Sequence, residues 1–551
     1  MKPTVEECTS KLSNDFDVLE VINCDNQSIV NLYIKIKSLH RDSFKNHQRI
    51  VFVITKDTSY PGQTLQNLQS IINDVDISNF FVCLVTTNPN IENDYRHVLD
   101  NISFDKIPFH LYQCRGEYTI QNSDEPEIFS KYASIKNDAE KISKLRDDQR
   151  KLLFENKYFC MLAWTGINIE PNNRTRPCCE FQGSLGNTSK QSLSEIFNSS
   201  AWKKVRQDML SGIPVKECIR CYEKEAMGRD TLRKSSNRTL LDKINLVDLT
   251  EVSGNLAQFE LGYWDIRYNN LCNLTCRSCG PGSSSSWYQP AENLGLIKQK
   301  RSPILIAGRD DNDLFDQIIQ HVDHVKKIYF AGGEPSMIEK FYEILEILDS
   351  RGQNDVHLCY NINMSRLVLK NKSLLDLWKR FPRVSIGASL DGENQRGEYL
   401  RQGLDWQDVL ENRRAMINQC PHIDFYVSAT TSILNVLHLP DFHRSWVEQD
   451  LIKPEDFNLQ ILFDPCYLRV DKSPPEMKKR IKQVYEKHLE WLIPRDKLGR
   501  AVYGFRSILS YIENNAEFDA NDFWINVDAL DRYHHTELLT TFPELEFLPK
   551  I

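Results

Sequence analysis

Fifteen cysteines occur in the 551 residues, and eight of them (160, 178, 179, 218, 221, 272, 276, 279) crowd between positions 160 and 279. The tightest group is LCNLTCRSCG, where Cys272, Cys276 and Cys279 form a C-x3-C-x2-C array. Thiolates this close along the chain can all be aimed at one centre by a single loop. Zinc sites more often use paired C-x2-C knuckles that supply four ligands, whereas three close thiolates suit an iron–sulfur cubane with one iron left open. The looser group comprises Cys160 in YFCMLAW, the adjacent Cys178 and Cys179 in RTRPCCEF, and Cys218 and Cys221 in ECIRCYEKE. It can furnish four thiolates to one centre, and its spacing allows zinc or iron–sulfur. Adjacent Cys178 and Cys179 do not both suit one iron site. The seven other cysteines (8, 24, 83, 114, 359, 420, 466) are scattered, as small buried hydrophobes are.

The elements around these groups follow from hydrophobic period. DVLEVIN (17–23), RIVFVIT (49–55), NFFVCLV (79–85) and PFHLYQC (108–114) read as strands, alternating with helical stretches such as 64–75. That pattern predicts a small parallel, Rossmann-like α/β domain over residues 1–124. It contains no GxGxxG and no P-loop. Residues 125–157 form a charged helical linker, and 158–245 a turn-rich module holding the looser cysteine group. A second alternation follows, with strands at 264–269, 326–332, 355–362, 383–390, 424–431 and 457–463 and helices such as 339–350 and 373–381 between them. Six βα units in succession predict a partial (β/α)6 TIM-like barrel over 246–470. The remainder, 471–551, is helical, most clearly at 475–493.

On this frame the tight array directly follows the first barrel strand. After the second strand stands Ala331-Gly332-Gly333-Glu334-Pro335. Adjacent glycines let the backbone approach a ligand closely, and the Glu can accept a hydrogen bond from an ammonium group. Tyr360-Asn361-Ile362-Asn363 ends the third strand, Ser389-Leu390-Asp391-Gly392 ends the fourth, and Thr430, Thr431 and Asn435 lie at and past the fifth. All fall at the carboxyl ends of strands, the catalytic face of a barrel. Together these residues resemble the signature of the radical S-adenosylmethionine (SAM) superfamily.

The resemblance implies a 4Fe–4S cluster on Cys272, Cys276 and Cys279. It implies SAM held by Gly332, Gly333, Glu334, Pro335, Asn363, Ser389, Asp391, Thr431 and Asn435. One electron through the cluster would cleave SAM to a 5′-deoxyadenosyl radical that abstracts hydrogen from a substrate, a peptide or a small alcohol or sugar. A one-electron donor such as ferredoxin or flavodoxin is implied. One departure is Ser278, where the family often carries an aromatic residue that helps seat adenine. The looser cysteine group, with the helical stretch 192–210 between its members, resembles the SPASM or twitch auxiliary-cluster module, here placed before the barrel. The resemblance favours Cys178 over Cys179, because the family's ligand commonly follows Pro, and it implies a second 4Fe–4S cluster on this group.

The alternative from another class is a zinc-stabilised, non-catalytic binding protein on a barrel scaffold. Net charge is −8, with no long basic tract, so nucleic acid and anionic membrane are not expected partners. The amino-terminal stretch has no apolar signal core and the apolar runs are too short to span a bilayer, so a cytoplasmic location is expected. Arg229, Arg233, Lys234 and Arg238 form a basic stretch, read as a solvated face or as the receiver of an anionic substrate. His534-His535 is no ligand pair, because adjacent helical side chains point apart.

Overall fold

The computed structural model describes residues 141–550 except 143, 227–230, 311 and 515, and before them the strands 18–23, 49–53, 82–86 and 109–113 by backbone alone. The chain divides into two compact units, Met1–Asn137 and Asp138–Ile551. In the first, β1 (Val18–Asn23) pairs parallel with β2 (Arg49–Val53), and β3 (Val82–Thr86) parallel with β4 (Phe109–Gln113). All four predicted strands are present. The predicted helix 64–75 and most of the linker 125–157 lie outside the described residues.

The second unit is built on one nine-stranded sheet. Its strands are β5 (Gly166–Ile169), β6 (Arg174–Arg176), β7 (Gly186–Asn187), β8 (Tyr263–Ile266), β10 (Lys327–Phe330), β11 (His357–Ile362), β14 (Val384–Ala388), β16 (Asp424–Thr431) and β17 (Phe457–Ile461). Two short hairpin-like pairs stand outside it: β9 (Thr275–Cys276) with β15 (Arg401–Gln402), and β12 (Val368–Leu369) with β13 (Lys372–Ser373). The sheet order is β17-β16-β14-β11-β10-β8-β5-β6-β7, with β5 and the six strands from β8 to β17 mutually parallel. Each of the six predicted barrel strands is there. The sheet has two free edges, as an open barrel must. What the sequence reading did not anticipate is β5–β7. The cysteine-rich module contributes three strands to the same sheet, docking Gly166–Ile169 in register against Tyr263–Ile266.

Strand period separates the two faces of this sheet. On β11, Leu358, Tyr360 and Ile362 are buried, while His357, Cys359 and Asn361 on the opposite face are half-buried. The apolar face lies under helices. Phe330 stacks on Tyr360 with ring centroids 4.3 Å apart and meets Phe341 of the helix Glu339–Ser350 edge-on at 4.8 Å. Each such fully buried aromatic side chain contributes ~1.5–3 kcal/mol. The polar face, which carries Asn361, looks into the barrel. No helix among the described residues is long and apolar enough to cross a membrane.

The helix Arg500–Tyr511 packs on β17, and beside it His488 of the helix Pro475–Leu492 meets His443 of the helix Leu439–Glu448, both rings buried. His443 Nδ1 and His488 Nε2 are 3.0 Å apart, and His443 Nε2 lies 2.9 Å from the Pro454 carbonyl. With His443 Nε2–H donating to Pro454, His443 Nδ1 accepts from His488, so both rings are neutral. Burial pushes both down to about 3 from the ordinary value of 6.5. The unfolded chain therefore binds protons that the folded one refuses. The stability this represents is whole above about pH 6.5 and falls as pH drops toward about 3, by ~1.4 kcal/mol per pH unit for each histidine. Urea midpoints at pH 7.5 and pH 5 are expected to show a marked loss at pH 5, and a His443→Phe/His488→Leu variant a flatter profile. Equal slopes in the two proteins would refute this account.

Candidate active site

The array loop leaves the carboxyl end of β8 and is tied down residue by residue. The Asn270 carboxamide receives the Leu305 N–H at 2.8 Å and donates to the carbonyls of Pro281 and Pro303, both at 3.2 Å. The Cys272 N–H donates to Ser285 Oγ at 3.2 Å, and the Cys279 N–H to the Cys276 carbonyl at 3.0 Å. Cys276 itself is in β9, paired with Arg401 of β15, and its carbonyl also accepts Trp287 Nε1–H at 2.8 Å. Cys276 is buried, and Cys272 and Cys279 are half-buried. Burial pushes all three thiols up, Cys272 to about 11, so they ionise only against a compensating positive charge such as a metal centre.

All three cysteines open onto one cavity of about 430 Å³, facing Gly332, Gly333, Glu334, Asn363 and Ser389 from the ends of the next strands. Ser278 lines it as well, so the position where the family often has an aromatic residue faces the cavity with a hydroxyl. The two glycines have positive φ, +86° and +45°. A Cβ on Gly333 would stand 2.2 Å from the Leu271 carbonyl oxygen, and one on Gly332 2.5 Å from Arg267 Cβ. The glycine pair thus allows this turn to press against the start of the cysteine loop, which Glu334 N–H then holds through Leu271 O at 2.7 Å. Any side chain at either position would push the two loops apart and change the cavity. Among the described residues no three His, Cys, Asp or Glu side chains close on one point as ligands of a single ion do. Thiolates set around a cavity wall answer the different demand of a cube-shaped cluster.

Glu334 is buried. Its Oε1 accepts from Ser336 N–H at 3.1 Å and Ser336 Oγ–H at 2.7 Å, and its Oε2 accepts the Asn363 N–H at 2.7 Å. Burial outweighs these bonds and raises it to about 7. One acceptor place on Oε2 is left, which an ammonium group would satisfy and ionise. Four predicted residues do not line the cavity: Pro335, Asp391, Thr431 and Asn435. Pro335 starts the short turn after Glu334. Asp391 is buried behind Arg401, which donates Nη2–H to it at 3.0 Å; it also accepts Thr430 N–H at 2.7 Å. Asn435 Nδ2 donates to the Asp391 carbonyl at 2.8 Å. Arg401 does line the cavity, and its Nη1 is 3.7 Å from Cys276 Sγ. Asp391 thus braces Arg401, and Asn435 braces the Asp391 backbone. Thr431 is fully buried at the end of β16, its hydroxyl without a partner.

The second cysteine group gathers where the module meets the sheet. Cys160, Cys178 and Cys221 are buried, and Cys218 and Cys179 are half-buried. The Cys178 thiol, raised first by burial and then by its neighbour Cys179, also feels Cys160, Cys218 and Cys221. Cys179 differs. Burial pushes it up to about 12, and the charges that act on it most are Asp265, Arg267, Glu180 and Arg176. The module's helix Ser200–Leu210 is anchored by Trp202 Nε1–H and Arg206 Nε–H, donating to the Ala163 carbonyl at 2.9 and 3.0 Å. Arg206 is fully buried and donates further to Gly254 O and Phe197 O. This clamps the segment that carries Cys160. In the basic stretch, Arg233 is buried in an ion pair with Glu225 and donates to Phe159 O at 2.8 Å, so it receives no substrate. Lys234 is half-buried, and Arg229 lies outside the described residues.

The sequence reading missed Arg267, Arg401 and Glu170 in the cavity wall; Asn361, named there in the third strand's motif, lines it as well. Arg267 had a signal. WDIRYN places Asp265 and Arg267 on one face of a strand otherwise apolar enough for a barrel core, and such polar alternation points inward. Arg401 had none, since its place beside Cys276 arises only from the β9–β15 pairing.

Residues 266–430 match the Radical SAM superfamily, and residues 160–222 match SPASM, an iron–sulfur cluster-binding domain. The second match decides for iron over zinc in the looser group. No curated protein matches the chain. Among solved structures, native anSMEcpe with bound AdoMet and Cp18Cys peptide is similar over 41% of this chain and 59% of its own, at 17% identity and a TM-score of 0.29. The cobalamin-dependent S-adenosylmethionine radical enzyme OxsB is similar over 96% of this chain and 63% of its own, at 10% identity and a TM-score of 0.24. The chain thus spans about three fifths of either protein's length.

Proposed function

We propose, for a chain that carries a radical SAM domain behind a SPASM iron–sulfur domain, that it abstracts a hydrogen atom from a peptide or a small alcohol or sugar held in the barrel cavity. Its cofactors are a 4Fe–4S cluster and SAM, with further iron–sulfur in the SPASM domain. When bound, the cluster and SAM supply a 5′-deoxyadenosyl radical on arrival of one electron. The observation that carries this reading is the convergence of Cys272, Cys276, Cys279, Glu334 and Arg401 on one cavity at the strands' carboxyl ends.

The chain's own residues do the positioning. The three cysteines would hold the cluster, and Glu334 would receive the ammonium of SAM. Gly332 and Gly333 keep the loops close, and Asn363 and Ser389 offer polar contacts along the same wall. Cys160, Cys178, Cys218 and Cys221 hold one auxiliary cluster, while Cys179 faces the barrel. The electron comes from a small donor such as ferredoxin or flavodoxin, in the cytoplasm. The parallel pairing of β1 with β2 and of β3 with β4 supports a Rossmann-like α/β fold for residues 1–124, since parallel strands need crossover connections.

Iron-loaded protein reduced with dithionite is expected to convert SAM to 5′-deoxyadenosine, detected by chromatography. Absence of deoxyadenosine from fully loaded, reduced protein would overturn the reading.

A further inference from the structure

Four charged side chains line the cavity: Glu170, Arg267, Glu334 and Arg401. The two carboxylates are engaged, Glu170 by Arg176 and Glu334 by Ser336 and Asn363. The two guanidiniums are each held on one side by a buried carboxylate, Arg401 by Asp391 and Arg267 by Asp265, and each keeps further N–H groups. Arg401 keeps a buried Nε–H without a partner. Arg267 commits only Nε, to Asp265 Oδ1 at 3.2 Å, and no hydrogen bond of its Nη1 or Nη2 accompanies it. The cavity wall therefore presents guanidinium N–H groups without a protein partner, which suit a ligand with oxyanion acceptors.

The two arginines belong to different parts of the wall. Arg401 stands beside Cys276 and is felt by Cys279, at the cluster end. Arg267 stands instead just past the end of β8, against Gly332 and held by Asp265. SAM held at the cysteine end would meet Arg401, beside Cys276, which leaves Arg267 for a second ligand. Arg267 is also a prepared group. Asp265 is fully buried on the same strand and fixes its Nε, and its Oδ2 is buried without a partner. Gly332 lies so close that any side chain there would displace Arg267.

We propose that Arg267, oriented by Asp265, anchors the substrate of this cavity, and that the substrate carries an oxyanion, a carboxylate or phosphate, taken in the fork of Nη1 and Nη2. A guanidinium receives such a group through two parallel N–H bonds, which a lysine cannot reproduce. The inference rests on the cavity being the substrate site of a radical SAM enzyme.

The test uses the full, iron-loaded chain with inorganic phosphate and acetate as probes, read as saturable shifts of the thermal midpoint against chloride at equal ionic strength. SAM is titrated separately by calorimetry. Wild-type protein is expected to respond to at least one probe, phosphate or acetate identifying the oxyanion class. Arg267→Met is expected to bind that probe about ten- to a hundredfold more weakly while SAM affinity stays within about twofold. Arg267→Lys, which keeps the charge facing Asp265 and loses the fork, is the second variant and is expected to lose about tenfold. No response in the wild type, or equal responses in wild type and variants, would overturn the proposal. So would a parallel loss of SAM affinity, which would give Arg267 to the SAM carboxylate. Failure of the enzyme reading itself shows elsewhere, as missing deoxyadenosine from the wild type.

Discussion

Replacing Cys272, Cys276 and Cys279 together by Ala is expected to remove about half of the iron from a reconstituted chain that carries about eight, and to abolish SAM cleavage. The loss is local because these thiols share one loop and one cavity wall, whereas Cys160, Cys178, Cys218 and Cys221 belong to the separate cysteine-rich module, and none of them lines that cavity. Replacing Cys218 and Cys221 is expected to remove the other half and to leave uncoupled SAM cleavage in place. That variant folds less well, since metal binding in a turn-rich segment contributes directly to folding. Cys179→Ser separates the ligand from its neighbour. It is expected to keep all the iron, because among the charges that act most on Cys179 are Asp265 and Arg267, and those that act on Cys178 include Cys160, Cys218 and Cys221. Iron, sulfide and zinc assays on the same samples decide. About four irons with one zinc in the wild type would refute the auxiliary cluster and spare the barrel cluster.

What was legible beforehand has a physical pattern. The six barrel strands were read from short apolar runs, because a strand buried under helices must be apolar whatever its partners are. The glycine pair was legible as a close approach, but what it approaches was not: the contact is with Leu271 and Arg267 of its own chain. Strand β5 gave no local signal. GINI is four residues long within a turn-rich stretch, and its partner Tyr263–Ile266 lies far along the chain. Asp391 was singled out for a direct contact, and in the structure its carboxylate is bound to Arg401 and the Thr430 N–H. Its role depends on Arg401, and that pairing exists only once β15 lies against the cysteine loop. Arg206 shows the same limit. In a helix of mixed polarity it reads as a solvated charge, yet it is fully buried on three carbonyls.

The carboxyl-terminal helices carry the other large expected effect. Arg277 lies within the cysteine array and is buried against the Tyr399 ring, its guanidinium 3.7 Å from the ring centre. It pairs with Asp531 of the helix Ala520–His534, which also accepts Thr536 Oγ1–H at 2.9 Å and Leu538 N–H at 2.8 Å. Leu530, one residue earlier, packs with Trp287 and Cys279. The array loop is therefore held from outside by a helix far along the chain. An exposed ion pair such as Arg146–Asp148 is worth ~0–1 kcal/mol. Arg277 is only 2% exposed, so removing its partner strands a buried charge at a cost of ~3–5 kcal/mol. Asp531→Ala is expected to lower the thermal midpoint by several degrees and to lose the barrel cluster's iron before the module's. The paired Arg277→Met/Asp531→Leu variant, which removes both charges, is expected to recover much of that stability. An Asp531→Ala protein that melts with the wild type and keeps its full iron would show that the helix does not hold the loop.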